Sequence, residues 1–166
     1  MRRTVVGVMG GSLADDLTLA QARELGRRIA EAGWVLLSGG RASGVMQASV
    51  SGAKGAGGLT VGVLFDTDRN AAAEGLDIVI PTGMGSARNV INILASDVVV
   101  ACRGSGGTFS EIALALRSGR PVVLLDWDPG REFMDACAPE ARWTMADDPA
   151  AAVAAVRAYL EESGRV

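Results

Sequence analysis

The residues of this chain best suited to chemistry are glycines and small hydroxyl residues in short turns. The clearest turn lies in CRGSGGTFSEI (102–112), directly after the apolar run DVVVA. Glycine lets backbone amides approach an anion closely, and the helix that follows contributes free N–H groups and the positive end of its dipole. This pattern predicts phosphate contacts from Gly104, Ser105, Gly106, Gly107 and Thr108.

Three similar turns follow other apolar runs: GGSLADD, GGRASGVM and TGMGSARN. Ligands of parallel sheets bind at the carboxyl ends of the strands, so we expect these turns to converge on one rim. Asp15 and Asp16, in the first of them, are expected to cap or favour a helix rather than to catalyse. The ligand-binding candidates from these turns are Gly11, Ser12, Gly39, Gly40, Gly44, Thr82, Gly83, Arg88 and Asn89.

Plainer interpretations remain open for these residues. The glycines fit a turn or a helix-packing role about equally well, and a tight turn after Pro81 explains Thr82 and Gly83. Arg41, in the turn GGRASGVM, could reach an anion, but a solvated loop arginine is the preferred interpretation. Cys102 is expected to be a small buried residue rather than a nucleophile. The DWD triplet that ends the sixth apolar run is typical of a solvated turn, so no metal is assigned.

The elements that must position these residues are βα units. Short β-branched runs alternate with amphipathic segments, which indicates a parallel sheet buried on both faces. The Thr18–Gln21 capping-box pattern marks the start of the first helix, which stops at Gly33. Strands are predicted at 4–10, 34–38, 59–65, 77–81, 97–102 and 121–126, and further helices at about 44–56, 87–96, 109–118 and 149–163.

Composition narrows the function classes. The 166 residues correspond to a single domain (1–166), and a net charge of −3 with a pI near 5.0 gives no electrostatic signature of nucleic-acid or membrane binding. With no histidine, Ser-His-Asp and Cys-His catalysis are excluded. The two cysteines lack CxxC spacing, and no apolar run is long enough to span a membrane. We therefore expect a cytoplasmic protein.

Common nucleotide-binding motifs are missing. There is no GxxxxGK[ST] segment, and Phe109 stands where GxGxxG requires its third glycine. Three segments instead resemble the Rossmann-type LOG-like superfamily: SGGRASGVMQASVSGAKGAGG (38–58), PTGMGSARN (81–89) and GSGGTFSEIALALRSGRPVVLL (104–125). The resemblance covers residues 5 to about 125. It implies a single-domain, Rossmann-like α/β/α sandwich with a mainly parallel sheet.

The superfamily includes cytokinin-activating phosphoribohydrolases, molybdenum-cofactor carrier proteins and DNA-processing protein A. The hydrolase pattern Pro-Gly-Gly-x-Gly-Thr-x-x-Glu is matched at Gly104, Gly107, Thr108 and Glu111 but not at Arg103 and Ser105. Arg88 keeps the arginine of the hydrolases' Arg-Lys pair, while Asn89 replaces the lysine. The sequence ARN is similar to the carrier-like branch, whose ligand is a pterin carrying a phosphate.

Two functions therefore remain. The first is a protein that binds a phosphate-bearing ligand, either a molybdenum-cofactor-like pterin or a nucleotide monophosphate, without turnover. The second is a nucleoside 5′-monophosphate phosphoribohydrolase with Arg88 and Glu111 as catalytic residues. As a plainer alternative, Thr108 and Glu111 form only a capping box. The apolar face of the helix that contains IALALRSG predicts a homodimer or a higher homo-oligomer.

Overall fold

The computed structural model describes residues 2–164 and contains one seven-stranded sheet in which every strand pairing is parallel. This confirms the predicted α/β/α architecture with a mainly parallel sheet. The strand order is β4-β3-β2-β1-β5-β6-β7. The strands are β1 (Val5–Met9), β2 (Val35–Ser38), β3 (Thr60–Leu64), β4 (Ile78–Pro81), β5 (Val98–Ala101), β6 (Val122–Leu125) and β7 (Trp143–Ala146).

The central strands are covered on both faces because nearly all of their side chains are apolar. In β2, β5 and β6 every residue is buried, as expected for strands covered by helices on both sides. β1 pairs with β2 on one side and with β5 on the other. The chain therefore adds β2, β3 and β4 on one side of β1, and then β5, β6 and β7 on the other side. A ligand crevice is expected at such a switch point.

Residues 2–164 form six helices, which cover the two faces of the sheet. One apolar core is shared with α1, α2 and α6, and the other with α3, α4 and α5, which gives three layers. The described part of the chain also contains two short 3₁₀ turns, at Arg69–Ala71 and Gly85–Arg88. The helices are α1 (Asp16–Glu31), α2 (Gly44–Gly55), α3 (Asn89–Ala95), α4 (Gly106–Arg117), α5 (Arg131–Cys137) and α6 (Pro149–Glu162).

The predicted helix starts require two corrections. α1 begins at Asp16, and the Asp15 carboxylate accepts a hydrogen bond of 2.7 Å from the Thr18 N–H, so Thr18 is not the N-cap. α4 begins at Gly106 rather than at Phe109. Thr108 therefore lies inside the first turn of α4, and the capping-box interpretation of Thr108 and Glu111 is wrong.

The sequence patterns did not predict α5 and β7. α5 has only seven residues, too few to establish a helical period. β7 lies at the edge of the sheet, and its WTMA sequence has a single fully buried residue, Ala146. Its strand conformation comes from pairing with β6, which is a tertiary contact.

Candidate functional site

A pocket of about 230 Å³ lies at the carboxyl ends of β1 and β5, where the switch point of the sheet predicts a ligand crevice. We call it the central pocket. An adjoining hollow of about 330 Å³ shares Gly11, Ser12 and Ser105 with it and extends to Arg103. The residues that line the central pocket are Val8, Met9, Gly10, Gly11, Ser12, Gly39, Arg41, Met46, Phe65, Ser86, Arg88, Asn89, Ser105, Gly107, Thr108 and Glu111.

Residues from all four predicted turns meet in this pocket. The turn after β1 provides Gly11 and Ser12, the turn after β2 provides Gly39, and the segment after β4 provides Arg88 and Asn89. The turn after β5 and the start of α4 complete the lining. Their contributions are Ser105, Gly107, Thr108 and Glu111.

Six of the candidate residues do not line the central pocket, and the geometry gives several of them structural roles. Gly40 has a φ of +73°, and a Cβ there would lie 2.8 Å from the Gly62 Cα. Glycine at this position therefore allows the turn after β2 to pack closely against the backbone of β3. The Thr82 hydroxyl donates to the carbonyl of Leu64, at the end of β3, at 2.7 Å. Gly104 lines only the adjoining hollow. The others are Gly44, Gly83 and Gly106.

Arg88 is the most unusual side chain of the central pocket. The residue is only 8% exposed, and its Nη1 lies 3.9 Å from Glu111 Oε1, beyond hydrogen-bond distance. Its buried Nε has no hydrogen-bond partner among residues 2–164. Burial lowers the pKa of the Arg88 guanidinium, and the nearby Glu111 carboxylate partly opposes that shift. A buried cation without hydrogen bonds is costly, and an anionic ligand would satisfy it.

Glu111 faces Arg88 from the second turn of α4. It is 7% exposed, and burial raises the pKa of its carboxyl group. A hydrogen bond of 3.3 Å from Asn92 Nδ2 to Glu111 Oε1 and the charge of Arg88 both oppose that rise. Glu111 therefore accepts one hydrogen bond, from an amide, and lies near a guanidinium that does not donate to it.

The start of α4 presents free backbone donors to the pocket. Its N-cap, Ser105, makes no side-chain hydrogen bond to the helix, and the first turn contains no acidic residue. The N–H groups of Gly106, Gly107 and Thr108 have no partner among the described residues, whereas the Phe109 N–H donates to the Ser105 carbonyl at 3.1 Å. Such a terminus favours an anion.

The sequence interpretation preferred a solvated loop role for Arg41 over an anion contact, and it missed Phe65. Arg41 is 42% exposed at its side chain but lies over the Phe65 ring, with Cζ 4.6 Å from the ring centroid, so it is not a freely solvated residue. Phe65 follows β3, whose turn carries no glycine pattern. The signal that could have found it is an aromatic residue at the end of a strand in a chain poor in aromatics. Met46 and Ser86 were also missed.

The remaining reactive candidates lie outside the central pocket. Cys102 is 1% exposed, and burial raises its thiol pKa to about 12, as expected for a small buried residue. Asp126 has a φ of +49° and accepts a hydrogen bond from Gln21 Nε2. Residues 2–164 hold no group of three or more cysteine, aspartate or glutamate side chains placed to bind a metal.

The fold and the switch-point pocket define a Rossmann-like protein. The chain belongs to the SLOG cluster4 family, whose family model matches residues 3–153. This confirms the resemblance to the LOG-like superfamily. None of the helices formed by residues 2–164 has the length and apolar character needed to cross a bilayer.

Solved structures of similar proteins include molybdenum-cofactor proteins. The molybdenum cofactor binding protein of Rippkaea orientalis is 42% identical with a TM-score of 0.91, over 96% of this chain and 99% of that one. The molybdenum cofactor carrier protein of Chlamydomonas reinhardtii is 42% identical with a TM-score of 0.88, over the same shares of both chains. DNA processing protein A of Helicobacter pylori, at 19% identity and a TM-score of 0.67, shares the fold.

A relative described as an enzyme is also similar in sequence. The cytokinin riboside 5′-monophosphate phosphoribohydrolase of Mycobacterium tuberculosis is 34% identical over 116 residues, which is 65% of this chain and 62% of that protein. An uncharacterized protein of Archaeoglobus fulgidus is 43% identical over 125 residues, 75% of this chain and 82% of that protein.

Proposed function

We propose that this protein binds a phosphate-bearing small molecule of the molybdenum-cofactor type in the central pocket and holds it without turnover. The observation that carries the proposal is the buried guanidinium of Arg88, which has no hydrogen bond to any of residues 2–164. The similarity to molybdenum-cofactor binding and carrier proteins along 96% of the chain supports the choice of ligand.

The phosphate of such a ligand would be the part that the protein holds. Arg88 can donate two parallel hydrogen bonds to phosphate oxygens, and the free N–H groups of Gly107 and Thr108 can donate others. Because the chain carries a net charge of −3, capture of the anion depends on these local donors. A nucleotide monophosphate offers the same phosphate chemistry and is the alternative ligand.

The pocket suits the phosphate of a molybdenum cofactor rather than its metal. Cys102, the cysteine nearest to the pocket in sequence, does not line it, and its buried thiol has a pKa of about 12. A protonated thiol is a poor metal ligand. This chain would therefore bind the cargo through its phosphate and leave the metal to ligands that the cargo itself carries.

Mass spectrometry of small molecules released from protein purified under native conditions tests the proposal. We expect a phosphorylated pterin or a nucleotide monophosphate from the wild type and its loss from Arg88→Gln. Arg117→Gln, which removes an exposed arginine at the other end of α4, is the charge-matched control and should retain the ligand. The proposal fails if Arg88→Gln retains as much ligand as the wild type does.

A second candidate, the phosphoribohydrolase, is favoured by the Arg88–Glu111 pair at 3.9 Å in the same pocket and by the 34% identical relative. Glu111 would orient or deprotonate water while Arg88 holds the phosphate, so that the N-glycosidic bond breaks and free base and ribose 5-phosphate form. Against it, Asn92 already donates a hydrogen bond to Glu111, and Asn89, Arg103 and Ser105 depart from the hydrolase pattern.

Incubation with adenosine 5′-monophosphate separates the two functions. A binding protein releases no adenine above a protein-free blank. Adenine release by the wild type that disappears in Glu111→Ala would replace the binding function with the hydrolase.

We further propose a cytoplasmic homo-oligomer that does not bind nucleic acid. The apolar side chains Ile112 and Leu116 of α4 are buried in the protein's own core, whereas Leu114 is half-buried. Val90 and Leu94 of α3 are 43% and 53% exposed and offer an alternative contact. Light scattering coupled to gel filtration tests this: Leu94→Asp should dissociate an oligomer formed through α3, and a monomeric wild type would disprove it.

A further inference from the structure

Two arginines of the central pocket lie over the same aromatic ring. The Cζ atoms of Arg41 and Arg88 are 4.6 Å and 6.0 Å from the centroid of the Phe65 ring. A guanidinium above a ring uses its π face, and its N–H groups, which point outward in its own plane, remain free to donate. Phe65 thus stabilises both guanidinium groups while their N–H groups stay available for hydrogen bonds to a ligand.

The protein leaves those donors unused. Neither guanidinium donates a hydrogen bond to any of residues 2–164, since the nearest carboxylate oxygens are 3.8 Å from Arg41 Nε and 3.9 Å from Arg88 Nη1. These oxygens belong to Asp66 and Glu111, and both distances exceed hydrogen-bond length. Asp66 Oδ2 is itself buried without a hydrogen-bond partner. The two arginines therefore have free donors toward the pocket that they both line.

The fold fixes the position of Arg41, although its side chain is partly exposed. Its backbone forms an antiparallel bridge with Ala72, and the Ala42 N–H donates to the Ala71 carbonyl at 3.2 Å. The turn after β2 is thus held against the 3₁₀ turn Arg69–Ala71. Arg41 starts from a fixed backbone position beside Phe65 rather than from a free loop.

Among the described residues, the charged side chains that line the central pocket are two arginines and one carboxylate, that of Glu111. Arg41 and Arg88 face Glu111 of α4 and Asp66 after β3, and burial disfavours the charged form of Glu111. The positive charge of Arg41 also contributes to the lowered pKa of Arg88, so the two cations repel each other. An anion placed between them would relieve that repulsion.

We infer that Arg41 and Arg88, both supported by Phe65, form a two-guanidinium clamp that recognises the dianionic form of a phosphomonoester. The inference rests on the proposed function, because it assigns the charge state of the phosphate that the central pocket holds. Arg88 is the buried contact and Arg41 the partly exposed one. A phosphodiester, which carries one negative charge, would engage only one of them fully.

Calorimetric titration with phenyl phosphate at pH 5 and pH 8 tests the clamp, since the second pKa of a phosphomonoester is about 6. The wild type should bind the ligand about tenfold more tightly at pH 8, which corresponds to one additional charge-assisted contact. Arg41→Gln should bind with nearly equal affinity at both pH values, and Arg41→Lys should recover part of the difference. Arg117→Gln should behave like the wild type. Thermal melts of each variant establish that it is folded.

The outcomes separate the two proposals. Protonation of Glu111 at low pH removes a negative charge from the pocket and so favours phosphate binding at low pH, opposite to the effect expected of the clamp. Glu111 is present in both the wild type and Arg41→Gln, so this effect is common to the two proteins. If the wild type binds phenyl phosphate but Arg41→Gln shows the same ratio of affinities at pH 8 and pH 5 as the wild type, the clamp is wrong and the binding function stands. If Arg41→Gln binds equally well at the two pH values while Arg88→Gln abolishes binding, the clamp and the binding function are both supported. If the wild type does not bind phenyl phosphate at either pH, both fail.

Discussion

The N-termini of α1 and α4 follow neighbouring strands, β1 and β5, and begin at the same edge of the sheet, yet the protein treats them differently. At α1 the Asp15 carboxylate accepts the Thr18 N–H at 2.7 Å, and Asp16 adds a second negative charge. At α4 the N-cap is Ser105, which makes no such bond, and the first turn holds no acid.

In the proposed function, the N-terminus of α4, which lines the central pocket, is left without a carboxylate so that the ligand phosphate can occupy it. An N-terminal carboxylate satisfies free N–H groups and the helix dipole, which stabilises the fold but occupies an anion site. α6 follows the α1 pattern, because Asp148 accepts the Ala151 N–H at 2.8 Å. α4 lacks this internal anion, and its terminus faces the buried cation of Arg88 across the central pocket.

The largest expected effect comes from giving α4 the cap that α1 has. Ser105→Asp places a carboxylate where the ligand phosphate is proposed to lie, so phenyl phosphate affinity should fall about a hundredfold through like-charge repulsion. The same carboxylate should stabilise the helix, raising the free energy of unfolding by about 0.5–1 kcal/mol. Calorimetric titration and urea unfolding measure the two effects.

The control makes the same substitution at the other end of the helix. Ser118→Asp adds an equal charge at the exposed C-cap of α4 and should leave affinity unchanged while slightly lowering stability. Unchanged affinity in Ser105→Asp would show that the ligand does not use the N-terminus of α4.

A smaller loss is expected from Gly39→Ala, which disturbs the cation opposite α4. A Cβ at Gly39 would lie 2.5 Å from Arg88 Nη1 and 2.8 Å from Met46 Sδ, so Arg88 must move. Because a shifted guanidinium loses a charge-assisted contact, we expect affinity for phenyl phosphate to fall about tenfold. Gly55→Ala in α2, where a Cβ meets nothing within 4 Å, is the matched control. Equal affinities for the two variants would contradict the role of Arg88.

At the N-terminus of α1 we expect a substitution to lower stability and to leave phosphate affinity nearly unchanged. Asp15→Ala removes its cap and should lower Tm by about 2–4 °C in a chain of this size, while phosphate affinity stays within about twofold. Differential scanning calorimetry with a parallel titration tests this. A loss of affinity as large as that of Ser105→Asp would mean that the two termini do not have separate tasks.

The smallest effect is the pH dependence of that cap. The hydrogen bond from the Thr18 backbone lowers the pKa of Asp15 below its ordinary value of 3.8. A carboxylate with a lowered folded pKa stabilises the fold fully above the unfolded pKa, and this contribution is lost as the pH falls through the folded pKa. The stability gap between wild type and Asp15→Ala should be constant from pH 7 to 5 and close below 3.8. Urea unfolding at each pH measures the gap, and a gap that persists at the acid end would argue against a charged cap.

Several features of the site could be read from the sequence because their signals are local. The glycine turns, the alternation of apolar runs with helices, and Arg88 at a helix start after a strand were visible in short windows. Asp15 and Asp16 were expected to serve the helix N-terminus, and Asp15 does so. Arg41 was misinterpreted because its contact with Phe65 joins two turns that are 24 positions apart in the chain.

The sequence by itself therefore determined the central strands, the positions of the turns and the supply of donors and charges. The tertiary structure decided which donors face the pocket. Gly39 and Gly40 are adjacent in sequence, yet a Cβ at Gly39 would meet Arg88 and a Cβ at Gly40 would meet β3. Their roles differ because the direction of each residue depends on the strands and side chains that distant segments place beside it. For the same reason only the folded chain shows that Arg88 lies buried without a hydrogen bond while Asp15 already holds its own partner.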